Sequence, residues 1–213
     1  LGGDVEEIQL YGSGRMNFLD IPAKVREIGF EVVEFSTLKT PEGLTPLAFA
    51  PQVRAACDAV GLPILNYTIG ADFINGSKGD WKAEVERLKS EVQTAKILGA
   101  PGMRHDATRG FPPEKAGAKS FDDALPILAQ GCRAVAEYAA DFGIRTMVEN
   151  HGFFCQDSDR LEKLVCAVNH PNFGLLIDMG NFLCADDPPA QAVGRLAPYA
   201  FHCHAKDFHV KPG

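Results

Sequence analysis

The sequence predicts a single α/β domain over residues 1–213 with the architecture of a (β/α)8 barrel. Three observations lead there. Short apolar runs rich in β-branched residues alternate with longer stretches of helical period, which requires crossover connections and hence a parallel sheet. No early run is followed by a GxGxxG turn, so the dinucleotide signature of the open, doubly wound sheet is missing. Finally, polar residues gather at the C-terminal ends of the runs, the rim where barrel enzymes collect their chemistry.

In chain order the strand candidates are Phe30 to Phe35 (FEVVEF), Pro63 to Thr68 (PILNYT), Ala100 to His105 (APGMRH), Ile144 to Asn150 (IRTMVEN), Phe173 to Met179 (FGLLIDM) and Ala200 to Ala205 (AFHCHA). Two helices stand out between them. Asp80 to Leu98 sets Trp81, Val85, Leu88, Val92 and Ala95 on one face, and Asp122 to Phe142 does the same with Leu125, Leu128, Cys132, Val135 and Ala139. Weaker helical patterns cover Leu19 to Ile28, Pro51 to Val60, Ser158 to Val168 and Pro188 to Leu196. Gly29, Gly61, Gly99 and Gly143 mark four helix-to-strand junctions of one kind. The longest irregular stretch, His105 to Ser120, is either a cover over the barrel mouth or a solvated loop without a role.

Composition narrows the function. Hydrophobic residues at 46% and charged residues at 23% are those of a compact folded chain. With 28 acidic against 21 basic residues, a net charge of −7 and no Lys/Arg-rich block, the footprint of nucleic acid or an anionic membrane is missing, and small molecules are the expected partners. Six cysteines are scattered without a CxxC pair, three of them inside helical patterns as buried thiols of an intracellular protein are, and no apolar run reaches the roughly 18 residues of a membrane span. The expected location is cytoplasmic.

The chemistry concentrates on three successive late strands. Glu149 ends one apolar run, where an unpaired carboxylate would be costly without a compensating cation. Asp178 ends the next in the same way. His202 and His204 lie two residues apart on the one after that, so both side chains share a face. Carboxylates with an imidazole suit Mn²⁺, Mg²⁺, Co²⁺ or Zn²⁺, whereas a structural zinc site would want cysteines.

The segments Val148-Glu149-Asn150-His151-Gly152, Ile177-Asp178-Met179-Gly180-Asn181 and His202-Cys203-His204-Ala205-Lys206-Asp207 resemble those of the xylose-isomerase-like TIM-barrel superfamily of sugar phosphate isomerases and epimerases. It includes ketose 3-epimerases, hydroxypyruvate isomerase and inosose dehydratase. Gly29 to Glu34 is similar to its second-strand signature, and Leu98-Gly99-Ala100 to the approach to strand four.

The resemblance implies Glu149, Asp178 and His204 as ligands of a divalent metal, with Mn²⁺ the first expectation, and Glu149 also as the catalytic base. It implies His151, Asn181, His202 and Lys206 as substrate-binding residues, and rim-placed His105 is added to them. A divalent ion holding the carbonyl and hydroxyl oxygens of a keto-sugar would make the proton between them acidic. Its return to the other face is epimerisation, its transfer to the adjacent carbon isomerisation, and loss of a β-hydroxyl dehydration. The expected substrate is therefore a sugar or sugar phosphate, and a homo-oligomer is common among such relatives.

The family's fourth ligand is a glutamate on the eighth strand, and no strand follows Gly213. A barrel usually takes about 250 residues. With Leu1-Gly2-Gly3 as the remnant of strand one and strand eight missing, the expectation is a barrel trimmed at both ends. The rival readings are an inosose-type dehydratase on the same site, an endonuclease-IV-like nuclease for abasic DNA, and a barrel without catalysis. Too few histidines and the negative charge speak against the nuclease.

Overall fold

The computed structural model describes residues 16–116 and 119–209. Its strands are β1 (Val33–Ser36), β2 (Ile64–Ile69), β3 (Gly102–His105), β4 (Arg145–Glu149), β5 (Phe173–Asp178) and β6 (Ala200–His204). They form one parallel sheet in the order β1-β2-β3-β4-β5-β6. Sequential order with every neighbour parallel is the wall of a (β/α)8 barrel, here incomplete. The sheet curls far enough that Glu34 of β1 reaches His202 and His204 of β6, although these strands share no backbone pairing. All six expected strands are present, with ends shifted by a few residues. Leu1-Gly2-Gly3 lies outside the described residues.

The helices are α1 (Ile21–Glu27), α2 (Pro46–Ala59), α3 (Trp81–Leu98), the short α4 (Pro113–Ala116), α5 (Phe121–Ala140), α6 (Ser158–Val168) and α7 (Pro189–Leu196). Their limits follow from local chemistry. The Asp80 carboxylate accepts from Lys82 N at 3.0 Å and Ala83 N at 3.2 Å to start α3, and Gly99 at φ 72° stops it. α5 opens on a capping box between Ser120 and Asp123, and α6 on the Asp157 side chain. α2 begins earlier than the expected Pro51. Pro46 occupies its first turn, with Thr45 Oγ1 accepting from Ala48 N at 3.2 Å, and the helix runs on through Pro51. A proline that reads as a first-turn residue therefore sits well inside.

Val85, Leu88, Val92 and Ala95 on α3 and Leu128, Cys132, Val135 and Ala139 on α5 are buried, as their periodicity predicts. Gly131 permits a close approach: a Cβ there would lie 2.6 Å from the Phe73 ring. All six cysteines are free; of the three in helical patterns Cys57 and Cys132 are buried, whereas Cys166 is exposed and corrects that expectation. Among the described residues no helix is long and apolar enough to cross a membrane.

Candidate metal and catalytic site

Side-chain alternation decides which rim residues meet inside the barrel. On β4 and β5 it turns Glu149 and Asp178 inward, both buried, and on β6 it turns His202 and His204 the same way. Ligand atoms of Glu149, Asp178 and His204 all lie within 4.8 Å of one another. A second group, Glu34 with His202 and His204, meets the same limit and shares His204 with the first.

Each carboxylate has partners. Glu149 Oε2 pairs with Arg104 Nη2 at 2.8 Å, and Oε1 accepts from Asn181 Nδ2 at 3.1 Å. Asp178 Oδ2 pairs with Lys206 Nζ at 3.0 Å, while Oδ1 accepts from Gly180 N and Asn181 N. Lys206 Nζ also donates to Asn181 Oδ1 at 2.5 Å, so Asn181 links the two carboxylates through Lys206. Asn150 clamps the neighbouring strand, donating to Asp178 O and accepting from Asp178 N, each at 2.8 Å. Gln156 braces the loop beyond, accepting from Phe153 N and donating to Asn181 O, both at 2.7 Å.

Across the interior, the Glu34 carboxylate lies 2.5 Å from His202 Nε2 and 3.3 Å from His204 Nε2. Burial opposes ionisation of Glu34, but hydrogen bonds and charge from the two imidazoles overcome it and hold its carboxyl well below the usual range. The hydrogen bond to Glu34 holds the proton on His204 more firmly than on an ordinary imidazole. Burial opposes this, and the charges of Glu34, Glu149 and Asp178 add to it.

The other expected site residues fall in different places. His151 is exposed at the rim, 3.8 Å from Asp106. His105 corrects the sequence reading. It follows Arg104 by one position, so it points to the opposite face of β3, where it is fully buried beside Phe73 and Phe173 with Nδ1 2.8 Å from Asp106 O. It does not reach the interior group. The loop after β3 is tied down at its start, with Thr108 Oγ1 donating to Asp72 Oδ1 at 2.7 Å and Asn75 Nδ2 to Gly110 O at 2.8 Å, and it carries α4.

Three interior residues were not among the expected site residues: Glu34, Arg104 and Asp106, the last pairing with Arg104 at 2.9 Å. Glu34 and Arg104 stand out in the sequence as polar strand ends, but neither belongs to a late motif. Arg104 Nε and Asn66 Oδ1 are buried without a partner among the described residues, as in a polar interior with room for a ligand.

The fold and site define a family. The chain belongs to the xylose isomerase-like TIM barrel family, whose sequence model matches residues 22–213. No curated protein matches the chain. Among solved structures, the D-psicose 3-epimerase from Clostridium cellulolyticum H10 with D-tagatose superposes with a TM-score of 0.73 at 15% identity, over 89% of this chain and 67% of that one. A probable 3-DHS dehydratase involved in petrobactin synthesis from Bacillus anthracis gives 0.69 at 18% identity, covering 89% and 67%. A xylose isomerase-like TIM barrel protein from Mycobacterium smegmatis in complex with magnesium gives 0.70 at 19%, covering 89% and 66%. At these identities the likeness is one of fold.

Proposed function

We propose that the protein is a divalent-metal-dependent isomerase or epimerase of a keto-sugar or sugar phosphate, with Glu149, Asp178 and His204 holding the ion. The observation that carries this reading is the convergence of those three ligand atoms within 4.8 Å. The donor set fits the ion. Two carboxylates and an imidazole suit Mn²⁺ first and admit Mg²⁺, Co²⁺ and Zn²⁺. The charges fit as well. Four carboxylates, Glu34, Asp106, Glu149 and Asp178, outnumber the two permanent cations beside them, Arg104 and Lys206, so the cluster favours a further cation. The magnesium-bound neighbour from Mycobacterium smegmatis supports a divalent metal in this fold.

When bound, such an ion polarises a substrate carbonyl and stabilises the negative charge of the enediolate-like transition state. The chain's own residues do the rest. Glu149 is the base that removes the proton beside the carbonyl, and its two oxygens are aimed by Arg104 and Asn181. Lys206, beside Asp178 and Asn181, orients substrate hydroxyls by donating hydrogen bonds. His151, exposed at the rim, meets the substrate's outer end, and His202 lines the same face of β6 as His204. The six free cysteines suit a reducing compartment, which supports action in the cytoplasm.

The test is deuterium incorporation from solvent into free and phosphorylated ketoses and inososes with Mn²⁺ added. Wild type should exchange a carbon-bound proton, and Glu149→Gln should lose at least about 10²-fold of that rate while staying folded. Exchange by Glu149→Gln at the wild-type rate would show that the base lies elsewhere. The fold neighbours include a dehydratase as well as epimerases, and loss of water in the same experiment would assign dehydration instead.

A further inference from the structure

Glu34 lies outside the three ligands of the proposed function, yet its carboxylate meets the imidazole of one of them, His204. Its carboxylate reaches from β1 across the barrel interior to β6 and meets Nε2 of His202 at 2.5 Å and of His204 at 3.3 Å. The two imidazoles stand edge to face, 5.3 Å apart, so one carboxylate bridges both rings. Asn66, the register partner of Glu34 on β2, donates to Glu34 Oε2 at 3.4 Å and holds it from behind. His202 therefore has a role of its own: it anchors one carboxylate oxygen, leaving the other to His204.

We propose that Glu34 is a positioning residue for the metal site, an outer carboxylate that fixes the ring of His204 and sharpens its affinity for the ion. The inference rests on the proposed function above. The physical reason is general. A half-exposed imidazole can rotate about two side-chain bonds, and a carboxylate on one ring nitrogen both locks that rotation and makes the ring a stronger electron donor. His204 is only half-buried, so its ring is not fixed by packing alone. Glu34 supplies the brace from β1, a position that no late-strand motif reveals.

The test is calorimetric titration of the full chain with Mn²⁺ alone, together with thermal melts with and without Mn²⁺. Glu34→Gln keeps the shape and removes the charge, and should bind Mn²⁺ about 10- to 100-fold more weakly. Glu34→Asp, drawn back by one methylene from a contact already at 3.3 Å, should bind at least about threefold more weakly and decides the matter if Glu34→Gln does not fold. A role confined to holding β1 against β6 would lower the melting temperature equally with and without Mn²⁺ and leave the dissociation constant alone. That pattern, or wild-type affinity in whichever variant folds, overturns the inference while leaving the metal site standing. A wild-type chain that binds no Mn²⁺ overturns the reading beneath it, and the inference with it.

Discussion

At the scale of single residues, adjacent positions on one strand have opposite fates. Arg104 pairs with Glu149 inside the barrel, and His105, one position on, is sealed under the helices. Burial disfavours its charged form and pushes the His105 imidazole down to about 4 from an ordinary 6.5. The unfolded chain takes up that proton near pH 6.5, and the folded one resists it until about pH 4. The stability contributed by neutral His105 is thus complete above pH 6.5 and drains away as pH falls towards 4. Urea unfolding across that window should show a shallower pH dependence for His105→Gln than for wild type, and parallel curves would count against this origin. The correct facing of His105 is readable in principle. Apolar Met103 lies two positions earlier, and period two puts both on the helix-covered face. The cluster of rim polar residues obscures this, because it records strand ends without recording parity.

At the scale of elements, the long helices α3 and α5 carry the packing that holds the strands in register. Leu128 is fully buried on α5, about one turn from the Gly131 contact with Phe73 and in the core shared with α3 and α6. Leu128→Ala should cost about 2–5 kcal/mol in urea unfolding, the range for a buried leucine whose cavity collapses incompletely. A loss below about 1 kcal/mol would mean the helix rests loosely on the sheet. These helices and all six strands were legible because their signals are local: apolar period, capping aspartate, stopping glycine. The start of α2 was not, since Pro51 resembles a first-turn proline and the true signal is Thr45 and Pro46 upstream. The late-strand part of the candidate site was equally legible as a group of rim residues, its carboxylates being the polar ends of apolar runs. Glu34 and Arg104 were visible as rim residues but not as members of the site, because their partners come from strands distant in sequence, and only the curl of the sheet brings them together.

At the scale of the whole molecule, a cation that binds the folded chain alone must stabilise it by mass action, by about 2.7 kcal/mol at a hundredfold excess over the dissociation constant. On the proposed assignment, Mn²⁺ should raise the melting temperature of wild type, and His204→Ala should lose most of that rise while melting cooperatively without metal. An undiminished shift in His204→Ala would place the ion away from this strand. The barrel also shows how such a site is kept in order. Asn150, the residue after Glu149, grips the main chain of Asp178 through both halves of its amide. The two carboxylates therefore travel as one piece: a distortion of β4 carries Asp178 with it, and their spacing survives. On the proposed function, loops over the mouth can differ in length and chemistry without disturbing that interval, so the shape of the pocket and the spacing of the two carboxylates are set independently.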